Sequence, residues 1–227
     1  MNSTISPKEV ASYIDHTLLK PEASPEAIRT LCAEAREYSF KTVCVNSGYV
    51  PLCVEELKGS NVGICSVVGF PLGAMLSDAK AYEAKLAVTS GASEIDMVIN
   101  IGLMKAGELN AVRADIETVF TACGKVPLKV IIETGLLTDE EKKSACQICK
   151  EVGVAFVKTS TGFGHGGATV ADIKLMRSVV GTSCSIKASG GVRNLDDARA
   201  VIAAGADRIG ASSGIAIVTG EEASSSY

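Results

Sequence analysis

The chain has no tryptophan, and its 227 residues include only five Phe and five Tyr. It therefore offers no aromatic stripe on which bases would stack, and it has no run of Lys and Arg. With a net charge of −4, it lacks the basic face that a phosphate backbone requires, so nucleic acid is disfavoured as a partner. No apolar stretch reaches eighteen residues, and "MNSTISPKEVASYIDHTLL" holds no signal-peptide core. The expected protein is soluble and cytoplasmic, with no membrane partner. Histidine is also scarce. His16 and His165 stand without a third ligand, so neither a metal nor a cofactor is expected and metal-dependent carbonyl chemistry is disfavoured. His165, in "GFGHGG", reads as a loop residue. No GxGxxG or Walker sequence follows the first strand-like run.

Cysteine is not scarce, at eight. A chain of this length with no secretory leader does not read as a disulfide scaffold. Cys32 and Cys123 fall on helical patterns, and Cys44, Cys65 and Cys184 on strand-like runs, which suits reduced core thiols. The one C-x-x-C, Cys146 and Cys149, lies inside a helical pattern with no second ligand pair. It lacks the context of either a metal or a redox motif.

Apolar residues make up 47% of the chain and charged residues 21%, which predicts a packed core. The length suits a single domain, expected over 1–220, with a flexible tail at 221–227. Eight runs rich in Val and Ile recur: 13–17, 41–46, 63–70, 94–100, 128–134, 155–160, 185–189 and 207–213. Most are near-continuously apolar, as strands buried on both faces are. Helical segments lie between them. Ser24 with Pro25, Ser77 with Asp78, and Thr138 with Asp139 and Glu141 mark helix starts, and Gly91, Gly153 and Gly205 follow helix ends. Strict alternation of strand and helix predicts an α/β fold. Eight units in this length fit a (β/α)8 TIM barrel, with "SPKEVASY" as an extra N-terminal helix placed to cover its bottom. A doubly wound sheet is the alternative.

Barrels keep their chemistry at the C-terminal strand ends. Polar groups collect there: Asp15 and His16, Cys44 and Asn46, Asp96, Glu133 and Thr134, Lys158 and Thr159, Lys187 and Ser189, Ser212 and Ser213. Lys158 ends the run "AFV" and Lys187 follows Ile186. A lone buried ammonium costs several kcal/mol, so two lysines in such places ask for a reason. If Asp96, Lys158 and Lys187 share a pocket, one lysine stands in partial excess. Like charge and desolvation then favour its neutral amine. A drop of roughly three pKa units makes about half of a lysine neutral near pH 7. This is how an amine nucleophile arises, and it predicts attack on a carbonyl to form a Schiff base. The residues leave open which lysine attacks. Gly190, Gly191, Ser212, Ser213 and Gly214 follow the last two strands, where barrels often hold phosphate. One such turn reads equally well as tight turning, while two on adjacent late strands point to phosphate; a surface position at a helix start is the plainer reading of Arg193.

"FVKTSTGF" and "IKASGGVR" resemble the deoxyribose-phosphate aldolases. So do "YIDHTLLKP", "VVGFPLG", "EIDMVINIG", "KVIIETGLL" and "GASSG", in the same order from about residue 13 to 214. The resemblance implies a metal-free class I aldolase. It would cleave 2-deoxy-D-ribose 5-phosphate reversibly to D-glyceraldehyde 3-phosphate and acetaldehyde. It implies Lys158 as the Schiff-base lysine, Lys187 as the second lysine that tunes it and moves protons, and Asp96 as acid/base. Asp15, Cys44, Thr161 and Gly162 match positions that line the substrate, and Gly190, Gly191, Ser212 and Ser213 match the phosphate loops. It also implies a homo-oligomer, dimer or higher. Phe163 departs from the pattern, standing where better-known members carry a basic residue. Tyr227 reads either as part of a flexible end or as a hydroxyl folded over the mouth. Two rival functions remain: a Schiff-base barrel for another phosphosugar, and a phosphosugar sensor without chemistry.

Overall fold

The computed structural model describes residues 5–164 and 166–220. His165 and the tail that holds Tyr227 lie outside the described residues. The apolar runs form eight strands: β1 (Ile14–Thr17), β2 (Thr42–Asn46), β3 (Gly63–Val68), β4 (Glu94–Val98), β5 (Leu128–Ile131), β6 (Phe156–Lys158), β7 (Ser185–Ser189) and β8 (Arg208–Ala211). They pair in parallel in chain order, and β8 closes on β1. An open sheet would leave two unpaired edges. Here each strand has two neighbours, so the fold is the (β/α)8 barrel and not the doubly wound sheet.

Ten helices complete the described residues: α1 (Pro7–Ala11), α2 (Pro25–Glu37), α3 (Val50–Glu56), α4 (Ser77–Thr89), α5 (Ile101–Lys105), α6 (Leu109–Cys123), α7 (Asp139–Val152), α8 (Val170–Val180), α9 (Leu195–Ala204) and α10 (Gly214–Thr219). The extra N-terminal helix, α1, packs against α9 and α10. Local chemistry sets the helix ends. The Ser24 hydroxyl accepts from Ala27 N, and Thr138 and Glu141 satisfy each other's backbone N–H groups in a capping box. Ser77 departs from expectation. It is the first residue inside α4, and its hydroxyl donates to Asp115 Oδ1 rather than capping.

That bond belongs to a buried seam between α4 and α6. Lys80, fully buried, donates to Asp115 Oδ2 at 2.7 Å and to the Val98 carbonyl at 2.9 Å. Burial pushes the Lys80 ammonium below its usual range, while Asp115 opposes that push. Removing one partner of such a pair costs about 3–5 kcal/mol, because the other is left charged in a dry interior. The seam ties the C-terminal end of β4 to the outer ring.

The alternation of strand side chains decides where the core lies. Ile14, Val43, Ile95, Met97, Val130, Val157, Ile186 and Ile209 point outward and pack beneath the helices in one large apolar cluster. Inside the barrel the apolar cluster is small: Leu19, Cys44, Cys65 and Val67, with Phe70 against it. The strands are therefore apolar on one face and largely polar on the other, unlike the two apolar faces their sequence suggests. Except for β7, they are also shorter than expected. The fifth stops at Ile131, and Glu133, at φ 55°, turns the chain through the left-handed region.

Candidate active site

Register brings the inward residues together. On β6 and β7, Lys158 stands opposite Lys187, and Lys187 in turn stands opposite Arg208 of β8. Asp96 of β4 stands opposite Lys129 of β5. Asp96 is fully buried and sits at the centre. Its Oδ2 accepts from Lys158 Nζ at 2.7 Å and from Lys187 Nζ at 2.8 Å. Its Oδ1 accepts from Lys129 Nζ at 2.7 Å and from the Cys65 thiol at 3.0 Å. Lys187 also pairs with Asp15 Oδ2. Arg208 bonds Asp15 Oδ1 at 2.7 Å and holds Glu94 with both ends of its fork. Phe156, two residues before Lys158, lies against Lys129 and Arg208 with its ring centroid 5.9 and 5.1 Å from their charged groups.

The network thus holds four cations and three carboxylates, a larger set than the three charges expected from sequence. One cation is still in excess. Burial works against the charge on Asp96, but Lys129, Lys158 and Lys187 outweigh it and hold the carboxyl well below the usual range. Asp15 behaves likewise: burial opposes its charge, and Lys187, Lys129 and Arg208 prevail. Lys187 is disfavoured as a cation by burial, yet Asp15 and Asp96 raise it above the usual lysine value. Lys129 is raised in the same way against burial, chiefly by Asp96. Cys44, opposite Cys65 on β2 and β3, has its thiol lowered to about 7 by the Cys65 thiol, against burial and with help from Lys187 and Lys158.

The contacts sort the cations. Lys187, Lys129 and Arg208 each bridge at least two carboxylates. Among the described residues Lys158 touches one carboxylate oxygen, which it shares with Lys187. It is the least committed cation, and it ends its strand where a barrel keeps its reacting groups.

Among the described residues two donor trios lie close enough to share an ion, Cys44–Cys65–Asp96 and Asp15–Cys65–Glu94, with ligand atoms within 4.8 Å of one another in each. The Lys129 ammonium already stands among both, 3.1 Å from Cys65 Sγ and 2.7 Å from both Asp96 and Glu94.

The other candidates gather beside this network. Gly162, Gly190, Gly191, Ser212 and Ser213 line one cavity of about 340 Å³, and Arg193 and Gly210 join them. Gly190, at φ 80°, adopts a conformation that other residues avoid, and a Cβ on Gly167 would lie 2.5 Å from its carbonyl oxygen. The loops after β6 and β7 cross there at backbone contact. Thr161 is held differently. Its N–H and hydroxyl both donate to the buried Glu133 carboxylate, and its hydroxyl accepts from Phe163 N. The Phe163 ring meets Phe70 edge-on, with centroids 5.2 Å apart.

The family model described as DeoC/LacD family aldolase matches residues 9–220. The chain belongs to the DeoC/LacD aldolase family. It is similar to curated deoxyribose-phosphate aldolases of Streptococcus gordonii, 58% identical over 95% of this chain and 98% of that one, and of Staphylococcus carnosus, 57% identical over 96% and 100%. Among solved structures it resembles the tetrameric deoxyribose phosphate aldolase of Aeropyrum pernix, with a TM-score of 0.88 at 32% identity, covering 94% of this chain and 91% of that one. The aldolase QR15 aligns with a TM-score of 0.89 at 40% identity, over 92% and 94%.

In this aldolase the sequence reading overlooked Lys129, Arg208, Glu94 and Cys65. The signal for Lys129 was present, since it interrupts the apolar run "LKVII" just as Lys158 interrupts "AFVKT". It lies near the start of its strand, away from the C-terminal ends where barrels keep their chemistry.

Proposed function

We propose that this aldolase works through a Schiff base on Lys158, with Lys187 and Asp96 moving the protons. Its reaction is the reversible cleavage of 2-deoxy-D-ribose 5-phosphate to D-glyceraldehyde 3-phosphate and acetaldehyde. The observation that carries the assignment of roles is the single Asp96 oxygen shared by two lysines, one of which meets no other carboxylate among the described residues.

The neutral Lys158 amine adds to C1 of the open-chain sugar, and loss of water leaves an iminium. The Asp96–Lys187 pair, through a water, takes the proton of the 3-hydroxyl. The C2–C3 bond breaks, its electrons pass into the iminium as an enamine, and D-glyceraldehyde 3-phosphate leaves. Protonation of the enamine at C2 and hydrolysis release acetaldehyde and return the amine. Asp15 and Cys44 border the reacting carbons, and Thr161 shapes the loop that presents Gly162. Gly190, Gly191, Ser212 and Ser213 offer backbone N–H groups and hydroxyls to the phosphate, so binding energy distant from the reacting carbons orients them. No metal or cofactor takes part.

Residues 1–220 act as one domain in this reading. The chain works in the cytoplasm as a homo-oligomer, dimer or higher. Eight free, buried cysteines suit a reducing compartment, and no helix among the described residues is long and apolar enough to cross a membrane. Exposed Leu72, Leu76, Tyr82 and Leu86 favour association.

Treatment with acetaldehyde and borohydride tests the assignment. Mass mapping is expected to find an ethyl adduct on Lys158, absent from Lys158→Ala. A folded sample with no adduct on any barrel lysine would overturn the Schiff base and favour a phosphosugar sensor.

A further inference from the structure

Lys129 is fully buried, and its ammonium is held by Asp96 Oδ1 and Glu94 Oε2, each at 2.7 Å, by Cys65 Sγ at 3.1 Å and, more distantly, by Asp15 Oδ2 at 3.8 Å. Its ammonium donates hydrogen bonds to Asp96 Oδ1 and Cys65 Sγ and forms an ion pair with Glu94. Lys129 stands second on β5, towards the N-terminal end of the barrel. It does not have the position of a nucleophile. A purely structural ion pair would need one carboxylate and not the particular one on which the reacting lysines converge.

We propose that Lys129 is a positioning residue for the aldol reaction: it clamps one oxygen of Asp96, leaving the other to face Lys158 and Lys187, and it supplies the excess cation that frees an amine. The inference rests on Lys158 being the Schiff-base lysine. Clamped at Oδ1, the carboxylate cannot rotate, so a proton moving between the two lysines meets the same oxygen on every turnover. The charge balance matters as much. Asp96 is faced by Lys129 from β5, Lys158 from β6, Lys187 from β7 and the Cys65 thiol from β3. Around these stand Asp15 from β1, Cys44 from β2, Glu94 from β4 and Arg208 from β8. Without the Lys129 charge the three carboxylates are matched by three cations. No cation is then in excess, and the interior releases a lysine proton less readily.

The test is kcat and KM for 2-deoxyribose 5-phosphate cleavage between pH 5 and 9 in Lys129→Met, Lys129→Gln and Lys129→Arg, with thermal unfolding recorded for each. Trapping of the Lys158 adduct accompanies each assay. The methionine and glutamine variants are expected to lose about 100-fold in kcat near neutral pH, the scale of a general acid–base contribution. Their KM should stay within about threefold, and their acidic limb should move up by roughly one pH unit, as expected when a nearby like charge is removed. The arginine variant should keep the wild-type limb. An unmoved acidic limb in the neutral variants overturns the proposal, as does failure of both to fold, which would make Lys129 a structural ion alone. A wild-type enzyme without a Lys158 adduct signals instead that the underlying reading has failed.

Discussion

Gly210 lies beside the stem of Lys187. A Cβ built on Gly210 would stand 3.0 Å from Lys187 Cε and 2.4 Å from Ser189 Oγ. The absence of a side chain at position 210 of β8 therefore leaves room for the Lys187 stem, whose ammonium reaches both Asp15 and Asp96. Gly210 also lines the cavity beside the network, so one position joins the two halves of the site. Gly210→Ala is expected to fold, since only side-chain atoms need to give way. It should lower kcat by about 10- to 100-fold, as displacement of a catalytic group by a fraction of an ångström to an ångström does. Steady-state kinetics beside a circular dichroism spectrum checks this; full activity in the alanine variant would show that the site tolerates the displacement.

Glu133 holds the loop after β6. Its buried carboxylate takes both donors of Thr161, three residues beyond Lys158. Glu133→Ala is expected to loosen Thr161 and Gly162 without touching the lysines. KM for the phosphorylated sugar should rise by roughly tenfold, about 1.4 kcal/mol of binding, while borohydride still traps acetaldehyde on Lys158. A loss of trapping equal to the loss of cleavage would place Glu133 in the chemistry itself.

Acid should unfold the barrel through its interior. Asp15 and Asp96 are both held below their ordinary value of 3.8, because the surrounding lysines and Arg208 outweigh burial. The unfolded chain therefore takes up these protons first as pH falls. Their stabilisation is complete above about pH 4 to 5 and drains away below the ordinary carboxylate value, at up to about 1.4 kcal/mol per pH unit for each proton. Urea midpoints measured from pH 7 to 3 should be flat and then fall steeply, and Asp15→Asn should be less stable at neutral pH but less steep in acid. A midpoint independent of pH down to 3 would contradict the ion network.

Much of this was legible in residue order. Strict strand–helix alternation, the caps at Ser24 and Thr138, and glycines after helices specify αβ units through local chemistry, and eight such units in this length favour a barrel, whose closure the pairing of β8 with β1 decides. Lys158 and Lys187 stood out because a lysine at the end of an apolar strand contradicts its surroundings. Ser77 misled because a serine before an acidic first turn has the form of a cap, and only the packing of α6 offers its hydroxyl the Asp115 carboxylate.

The sequence alone determined which strands form and that two lysines and an aspartate lie within them, because hydrophobic periodicity and the cost of a buried charge are local properties. Tertiary structure decided the rest. Barrel register placed Lys129 opposite Asp96 and brought Arg208 against Asp15 across 193 positions of chain. It made a three-charge pocket into a network of seven, and it left Lys158 with a single shared oxygen. No local pattern carries that outcome, since the number of carboxylates each cation meets depends on which strands the closed barrel makes neighbours.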